Sequence, residues 1–327
     1  MTFAEAWSLI AAARRILMTT HVKPDGDGLG ALAALAEALQ ARGKDVRVVL
    51  PSEVPPKYRF IHGAATFQLL GRDVTLDRLA DRWDLLIIID TCSWQQLEAM
   101  RSVVQAQAGR ILVIDHHATS DDLGHRSLSD ASAAATAPIV LSLIEAAGVP
   151  VTPTMAESLF VSLASDTGWF QFPSVTSEVF RLAGRLQDLG AVPQAIYEKL
   201  FQSESPAKMQ LLAMALPTLV IEPEGDLASF HISGDMFDRA GAEPHDTENL
   251  INEAQRIAGV AVSILSVEQE PRVIKVSLRS KRDVDMAAVA MKFGGGGHAR
   301  AAGCTLRTSL EEARRTVLQS VRAAMGR

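Results

Sequence analysis

Four groups of acidic and histidine residues in this sequence have the types and spacing to hold metal ions. His21 is followed by Asp25 and Asp27; Asp90 ends an apolar run; Asp115, His116 and His117 stand in a row after another; and Asp166 lies within or near the end of a helical pattern. Carboxylates suit hard divalent cations, imidazole suits manganese or iron, and a mixed set favours manganese among the common metals. Each group alone has a plainer reading. A single Asp at a strand end commonly caps a helix, and residues 25–28 could form an ordinary turn. Adjacent His116 and His117 are harder to place as structure, because a buried pair needs several hydrogen-bond partners. Taken together, the four groups point to a metal centre.

A second set of residues could hold an anion. Gly294, Gly295, Gly296 and Gly297 precede His298 and a helix-compatible, Ala-rich stretch. Successive glycines permit positive φ and let backbone N–H groups approach a ligand closely. Standing alone, such a run is a flexible loop. Arg279, Lys281 and Arg282 form a local basic cluster after a strand pattern. Trp94, Trp169 and Phe170 could stack on bases, but their helical spacing beside Leu97 and Leu163 favours core packing.

The elements that must position these residues follow from apolar patterning. Strands are expected at 16–20, 46–50, 85–90 and 111–115, and helices at 28–42, 133–147, 155–169 and 177–189. The unbroken apolar runs suit strands buried on both faces, as in a parallel sheet covered by helices. The expected class is α/β, a doubly wound and mainly parallel sheet, over residues 1–190. Ligands of such sheets bind outside the carboxyl ends of the strands, so the acidic groups converge on one edge. Helices at 192–201 and 206–216 form an expected linker, 191–216, to a smaller α/β domain over 217–327. That domain reads as strands at 228–232, 261–267 and 272–278, with a turn at 268–271, then helices at 284–293 and 310–325.

Composition narrows the class. At 327 residues, two domains are the default expectation. Hydrophobic residues at 48% and charged residues at 21% suit a globular chain. Two distant cysteines, Cys92 and Cys304, form no metal-binding doublet and fit a reducing compartment. No secretory pattern and no apolar run of about 18 residues is seen, so a cytoplasmic protein without membrane association is expected. The net charge of −6 argues against an extended grip on long nucleic acid, where cations must neutralise many phosphates, but allows a small anionic ligand.

Asp115-His116-His117 after an apolar strand resembles the signature of the DHH phosphoesterases. His21, Asp25, Asp27, Asp90 and Asp166 are similar to that family's other metal motifs in order and spacing. The glycine run ending in His298 resembles the glycine-rich motif of the DHH-associated domain. Residues 276–280, which contain Arg279, resemble the segment that supplies an arginine to substrate. The likeness covers nearly the whole chain and is strongest to the bacterial nanoRNase and phosphoadenosine-phosphate phosphatase subfamily.

What the resemblance implies is a pair of Mn²⁺ ions, with Mg²⁺ or another divalent cation as the alternative, sharing Asp90. His21 and Asp25 would complete one site, and Asp27, His116 and Asp166 the other. His117 would face the scissile phosphate as an acid or hydrogen-bond donor, and Asp115 would orient the histidines. Arg279, His298 and the glycine backbone would hold the distal part of the substrate. Implied substrates are short single-stranded RNA and small nucleotides, not a long duplex; a homodimer is common in the family. The segment after Asp90 departs from the family pattern, lacking the basic or strongly polar side chain that many relatives carry there. His62, His125, His231 and His245 match no metal motif and read as surface or structural residues. The nearest enzymatic rival is a cyclic- or linear-dinucleotide phosphodiesterase. From another class comes a catalytically silent nucleotide-binding protein, which the intact set of metal and acid groups disfavours.

Overall fold

The apolar runs that end at Thr20, Asp90 and Asp115 become adjacent strands of one parallel sheet. In the computed structural model, which describes residues 1–79 and 83–327, the chain divides into two compact units, Met1–Ser203 and Glu204–Arg327. The first unit begins with α1 (Phe3–Ala12), β1 (Arg15–Thr19), α2 (Gly26–Ala41), β2 (Asp45–Leu50), β3 (Gln68–Leu69) and β4 (Leu85–Ile89). It continues with α3 (Arg101–Ala106), β5 (Ile111–Asp115), β6 (Arg126–Ser129), α4 (Ala137–Ala146), α5 (Pro153–Asp166), α6 (Ser177–Asp188) and α7 (Pro193–Phe201). The sheet order is β3-β2-β1-β4-β5-β6, with every pair parallel. Strands β4 and β5 are buried along their whole length. Ile16, Met18, Ile87 and Ile89 enter one core, and Leu17, Leu86 and Ile88 enter the other. Two covered faces leave no polar side to the strand, so it reads as continuous rather than alternating.

The order reverses between β1 and β4, where loops leaving neighbouring strand ends diverge and open a crevice. Register then decides what lines it. Thr19 pairs with Ile88, and Ile88 with Val113. Two residues further along each chain stand His21, Asp90 and Asp115.

Helix α2 starts where Asp25 Oδ1 accepts the backbone N–H groups of Asp27 and Gly28, 3.0 and 3.2 Å away. It is almost wholly buried; Leu29, Leu32, Leu35 and Leu39 each contribute about 1.5–3 kcal/mol of burial. A Cβ on Gly30 would collide with the Ser158 carbonyl oxygen on α5. The missing side chain thus lets two helices meet closely, one bearing Asp27 in its first turn and the other ending in Asp166.

The second unit contains α8 (Pro206–Ala215), β7 (Val220–Ile221), β8 (Leu227–Ile232), α9 (Gly234–Ala240), α10 (Ile251–Gln255), β9 (Val262–Glu270) and β10 (Val273–Ser280). It ends with α11 (Met286–Met291), β11 (Gly296–His298), β12 (Ala301–Arg307) and α12 (Leu310–Ala324). Its sheet order is β11-β12-β10-β9-β8-β7; β8 and β9 are parallel and the other pairs antiparallel. The two helices expected as a linker divide between the units, α7 in the first and α8 in the second.

Two local expectations are corrected. Strand β9 runs on to Glu270, so the turn is Pro271 and Arg272, with Arg272 at φ 63°. The Ala-rich stretch after His298 is strand, not helix. It pairs with β10 on one side and β11 on the other, and sheet pairing outweighs the helical preference of alanine. Among the described residues, no helix is long and apolar enough to cross a membrane.

Candidate metal centre

The four expected groups meet at the carboxyl edge of the first sheet. His21 Nε2 lies 3.7 Å from both Asp25 Oδ1 and Asp90 Oδ2. His116 Nε2 lies 3.0 Å from Asp166 Oδ2, 3.4 Å from Asp27 Oδ2 and 3.6 Å from Asp90 Oδ1. Two sets of candidate ligands result, His21–Asp25–Asp90 and Asp27–His116–Asp166, and a third combines Asp90 with His116 and His117. Asp90 touches both imidazoles, one through each carboxylate oxygen.

Second partners decide which nitrogen each ring offers. His21 Nδ1 lies 2.9 Å from the Val22 carbonyl and His116 Nδ1 lies 3.1 Å from the Ala133 carbonyl. Each Nδ1 therefore keeps its proton, and Nε2 is the nitrogen that gives up its own to face a cation. His117 is held differently. Its Nδ1 is 2.7 Å from Asp115 Oδ1, which also accepts the His117 backbone N–H at 3.1 Å. The His117 side chain is 53% exposed, so Nε2 is left toward the solvent side. Asp115 orients His117, whereas His116 takes its orientation from the Ala133 carbonyl.

Electrostatics show how costly this gathering of carboxylates is. Burial, and then Asp166, push the Asp27 carboxyl up to about 7. Burial, with Asp27 and Asp25 beside it, holds the Asp90 carboxyl well above its ordinary value. Burial disfavours a charged His116, but Asp166 and Asp27 outweigh it and raise the imidazole to about 9. His117 is raised chiefly by its hydrogen bond to Asp115. Burial works against Asp115 ionisation, yet the bonds to His117 bring its pKa below the ordinary value.

The residues fit divalent cations. Thr20 Oγ1 is buried and makes no hydrogen bond, a costly state that a ligand at the cluster would relieve, and His116 Nε2 faces three carboxylates. A Cβ on Gly28 would come within 2.6 Å of Thr20 Oγ1 and 3.3 Å of both Asp90 Oδ2 and His21 Nε2. Glycine there keeps open the space between these donors. Oxygen-rich donors with imidazole match manganese or magnesium in type.

Several supporting residues carried no signal that their type alone could reveal. Thr136 precedes a helix, where its hydroxyl would ordinarily cap; instead that hydroxyl donates to Asp90 Oδ1 at 2.9 Å. The Thr136 N–H donates to Asp27 at 2.9 and 3.1 Å, and the Ser162 hydroxyl donates to Asp27 as well. Asp90 itself has φ 62°, a backbone state costing about 1–3 kcal/mol outside glycine. The cavity beside the cluster, about 350 Å³, is lined by His21, Asp25, Asp90, His117 and Asp166. Its remaining lining comes from Thr119 and from Thr91, Cys92, Ser93, Gln95 and Gln96 of the segment after Asp90, all uncharged types. Trp94 packs beside the second core and donates Nε1–H to the Asp122 carbonyl at 3.1 Å.

The expected distal residues lie in the second unit. Arg279 pairs with Ala301, and Ala301 with His298, so the three form one row across β10, β12 and β11. Paired residues share a face of the sheet, which leaves the small Ala301 between Arg279 and His298. Gly296 and Gly297 belong to β11, while Gly294 and Gly295 lead into it; Gly294 and Gly297 have φ 71° and 137°. Arg279 is half-buried, which lowers its pKa, and its Nη1 donates to the Leu278 carbonyl at 3.1 Å.

Residues 15–163 match the model of the DHH family N-terminal domain, and residues 229–326 match the DHHA1 domain. The bifunctional oligoribonuclease and PAP phosphatase NrnA of Thermus thermophilus is 33% identical over 314 residues, covering 95% of this chain and 90% of that protein. The chain belongs to the DHH family. As a DHH phosphoesterase it is a hydrolase acting on phosphoester bonds. The Bacillus subtilis protein of the same description is 24% identical, over 89% of each chain. In fold, this DHH chain is similar to an exopolyphosphatase-related protein from Bacteroides fragilis, with TM-score 0.85, 24% identity, and coverage of 98% and 96% of the two chains. It is also similar in fold to the exonuclease RecJ, at TM-score 0.56 and 19% identity, covering 100% of this chain and 95% of that one.

Proposed function

We propose that the chain hydrolyses very short single-stranded RNA to mononucleotides with manganese, and also removes a phosphate from 3′-phosphoadenosine 5′-phosphate. The observation that carries this reading is the similarity to a bifunctional oligoribonuclease and PAP phosphatase over both domains, the one with the metal cluster and the one with Arg279 and His298. The net charge of −6 supports substrates of about two to five nucleotides, because few phosphates can be neutralised.

In this reading His21, Asp25 and Asp90 hold one cation, and Asp27, His116 and Asp166 hold a second that shares Asp90. When bound, such cations lower the pKa of the attacking water and offset the charge on the phosphodiester. Manganese is the first choice because a RecJ structure of this fold is described as bound to it; magnesium is the alternative. His117, kept protonated and oriented by Asp115, donates from Nε2 to the departing ribose oxygen. Arg279, His298 and the backbone of Gly294, Gly295, Gly296 and Gly297 hold the distal phosphate or base. A homodimer is the expected assembly, to be checked by light scattering.

The test is a manganese-supplemented assay with labelled di- to hexanucleotides, phosphoadenosine phosphate, cyclic dinucleotides and pyrophosphate. Efficiency should peak at about two to four nucleotides and fall with length, with weak salt dependence. Preference for cyclic dinucleotides or pyrophosphate, or robust cleavage of long strands, would overturn the reading.

A further inference from the structure

Directly after Asp166 the chain makes a turn with three successive residues in the left-handed region: Gly168 at φ 56°, Trp169 at 55° and Phe170 at 65°. For Trp and Phe this state is sterically unfavourable, since Cβ crowds the backbone. Hydrogen bonds hold it: Trp169 N–H donates to the Ala164 carbonyl at 2.7 Å, and Gln171 N–H to the Thr167 carbonyl at 2.9 Å. The turn sets the Trp169 ring edge-on to Tyr197 and Phe201, with centroids 5.2 and 5.5 Å away. Core packing accounts for the contact of Trp169 with Phe160. It does not account for Tyr197 and Phe201, which are 39% and 51% exposed.

These three rings line a cavity of about 330 Å³ together with Lys57, Tyr58 and Gln171. Both tyrosines of the chain are therefore in its wall. The Lys57 ammonium lies 4.8 Å from the Tyr58 ring centroid. The cavity also adjoins the metal cluster through its wall. Ser165, another lining residue, precedes Asp166. A Cβ on Gly26, between Asp25 and Asp27, would collide with the Ser165 side chain and come within 2.9 Å of the Tyr58 ring.

We propose that this cavity binds one nucleobase of the substrate, next to the phosphate at the metal cluster. The proposal rests on the short-RNA reading above and adds a subsite to it. Aromatic walls offer stacking to the flat faces that every base has. Gln171, whose side chain makes no hydrogen bond among the described residues, offers a donor and an acceptor to the base edge. Lys57 offers a charge to a flanking phosphate. The volume lies at the low end of small-ligand sites, about 300–1,000 Å³. An apolar peptide would leave Lys57 and Gln171 without a role.

The test uses the full chain with manganese and the Tyr197→Leu and Phe201→Leu variants. Substrates are an intact diadenylate and dinucleotides in which either base is replaced by an abasic site. Tyr197→Leu should raise KM for the intact dinucleotide about 5- to 100-fold. Wild type and variant should bind one of the two abasic dinucleotides equally weakly. A loss of the same size on the intact and on both abasic substrates, or no loss at all, would overturn the subsite. A separate readout is the fluorescence of 2-aminopurine riboside 5′-monophosphate, which stacking quenches. Wild type should quench it and both variants should quench it less; equal quenching by all three would overturn the proposal. Should wild type quench this probe yet fail to cleave oligonucleotides, the substrate reading fails while the subsite stands. Thermal melting separates loss of fold from loss of stacking.

Discussion

Asp27 is wholly buried and takes hydrogen bonds from Thr136 and Ser162, whereas Gly296, Gly297 and His298 all lie exposed on an edge hairpin. The first region fixes its carboxyls in place before anything binds, and does so against burial and then their own repulsion, as the raised Asp27 and Asp90 carboxyls show. The second leaves Gly296, Gly297 and His298 open to water, with Arg279 half-buried in the same row. A fixed, unfavourable charge cluster is bound to act through what neutralises it; an exposed hairpin acts only through what it touches. Substitutions in the first should therefore change metal content and turnover, and those in the second should change substrate affinity alone.

The largest expected effect is at Asp90. Asp90→Ala should lower activity by more than about 100-fold, beyond what loss of an outer support for a metal ligand costs, measured as steady-state turnover in saturating manganese. Near-normal turnover would remove Asp90 from the centre. Next, His117→Ala should slow turnover by about 10²–10⁴-fold, the range for loss of a general acid, while metal analysis shows full content. His116→Ala should lose metal. Equal metal loss in both variants would erase the difference between the adjacent histidines.

Arg279→Ala should leave metal content and kcat nearly intact. It should raise KM for dinucleotides by the equivalent of about 1.5–3 kcal/mol, one charge-assisted hydrogen bond. Its effect on bis-p-nitrophenyl phosphate, which lacks the distal group, should be much smaller. Equal losses on both substrates would move Arg279 to the reacting phosphate and blur the contrast between the regions.

The smallest effects are those of pH on the metal-free chain. Asp27 rises from an ordinary 3.8 to about 7, and His116 from 6.5 to about 9. Both groups hold their protons more tightly folded than unfolded. Their contribution to stability is full below the unfolded values and is lost as pH climbs through the folded ones. The metal-free melting temperature should thus fall as pH rises from about 4 to about 9. Cation binding needs both groups deprotonated, so manganese affinity should rise over the upper part of that range and binding should release protons. Calorimetry in buffers of different ionisation enthalpy measures that release; none at pH 7 would contradict the raised values.

Much of the first unit was legible because its chemistry follows strand ends. Unbroken apolar runs marked β4 and β5, and the acidic groups after them pointed to one edge. Helices α5 and α6 were legible from their apolar spacing, since both pack on that unit's core. What escaped depended on tertiary partners. The short β3 and β6 are edge strands with little apolar signal. The Ala-rich β12 is a strand only because β10 and β11 flank it. Thr136 could not be singled out, because a Thr before a helix is ordinary until its hydroxyl is seen to turn to Asp90. Trp169 looked like a core residue from its spacing, and the left-handed turn that carries its ring beside Tyr197 has no counterpart in apolar periodicity.

The most direct measurement is manganese stoichiometry of the wild-type chain beside Asp25→Ala and Asp166→Ala, by titration with metal analysis after gel filtration. Two sets of ligands sharing Asp90 should give two ions per wild-type chain. Each variant should retain one tightly held ion, because Asp25 and Asp166 belong to different sets. One ion per wild-type chain, or two in either variant, would contradict the paired centre.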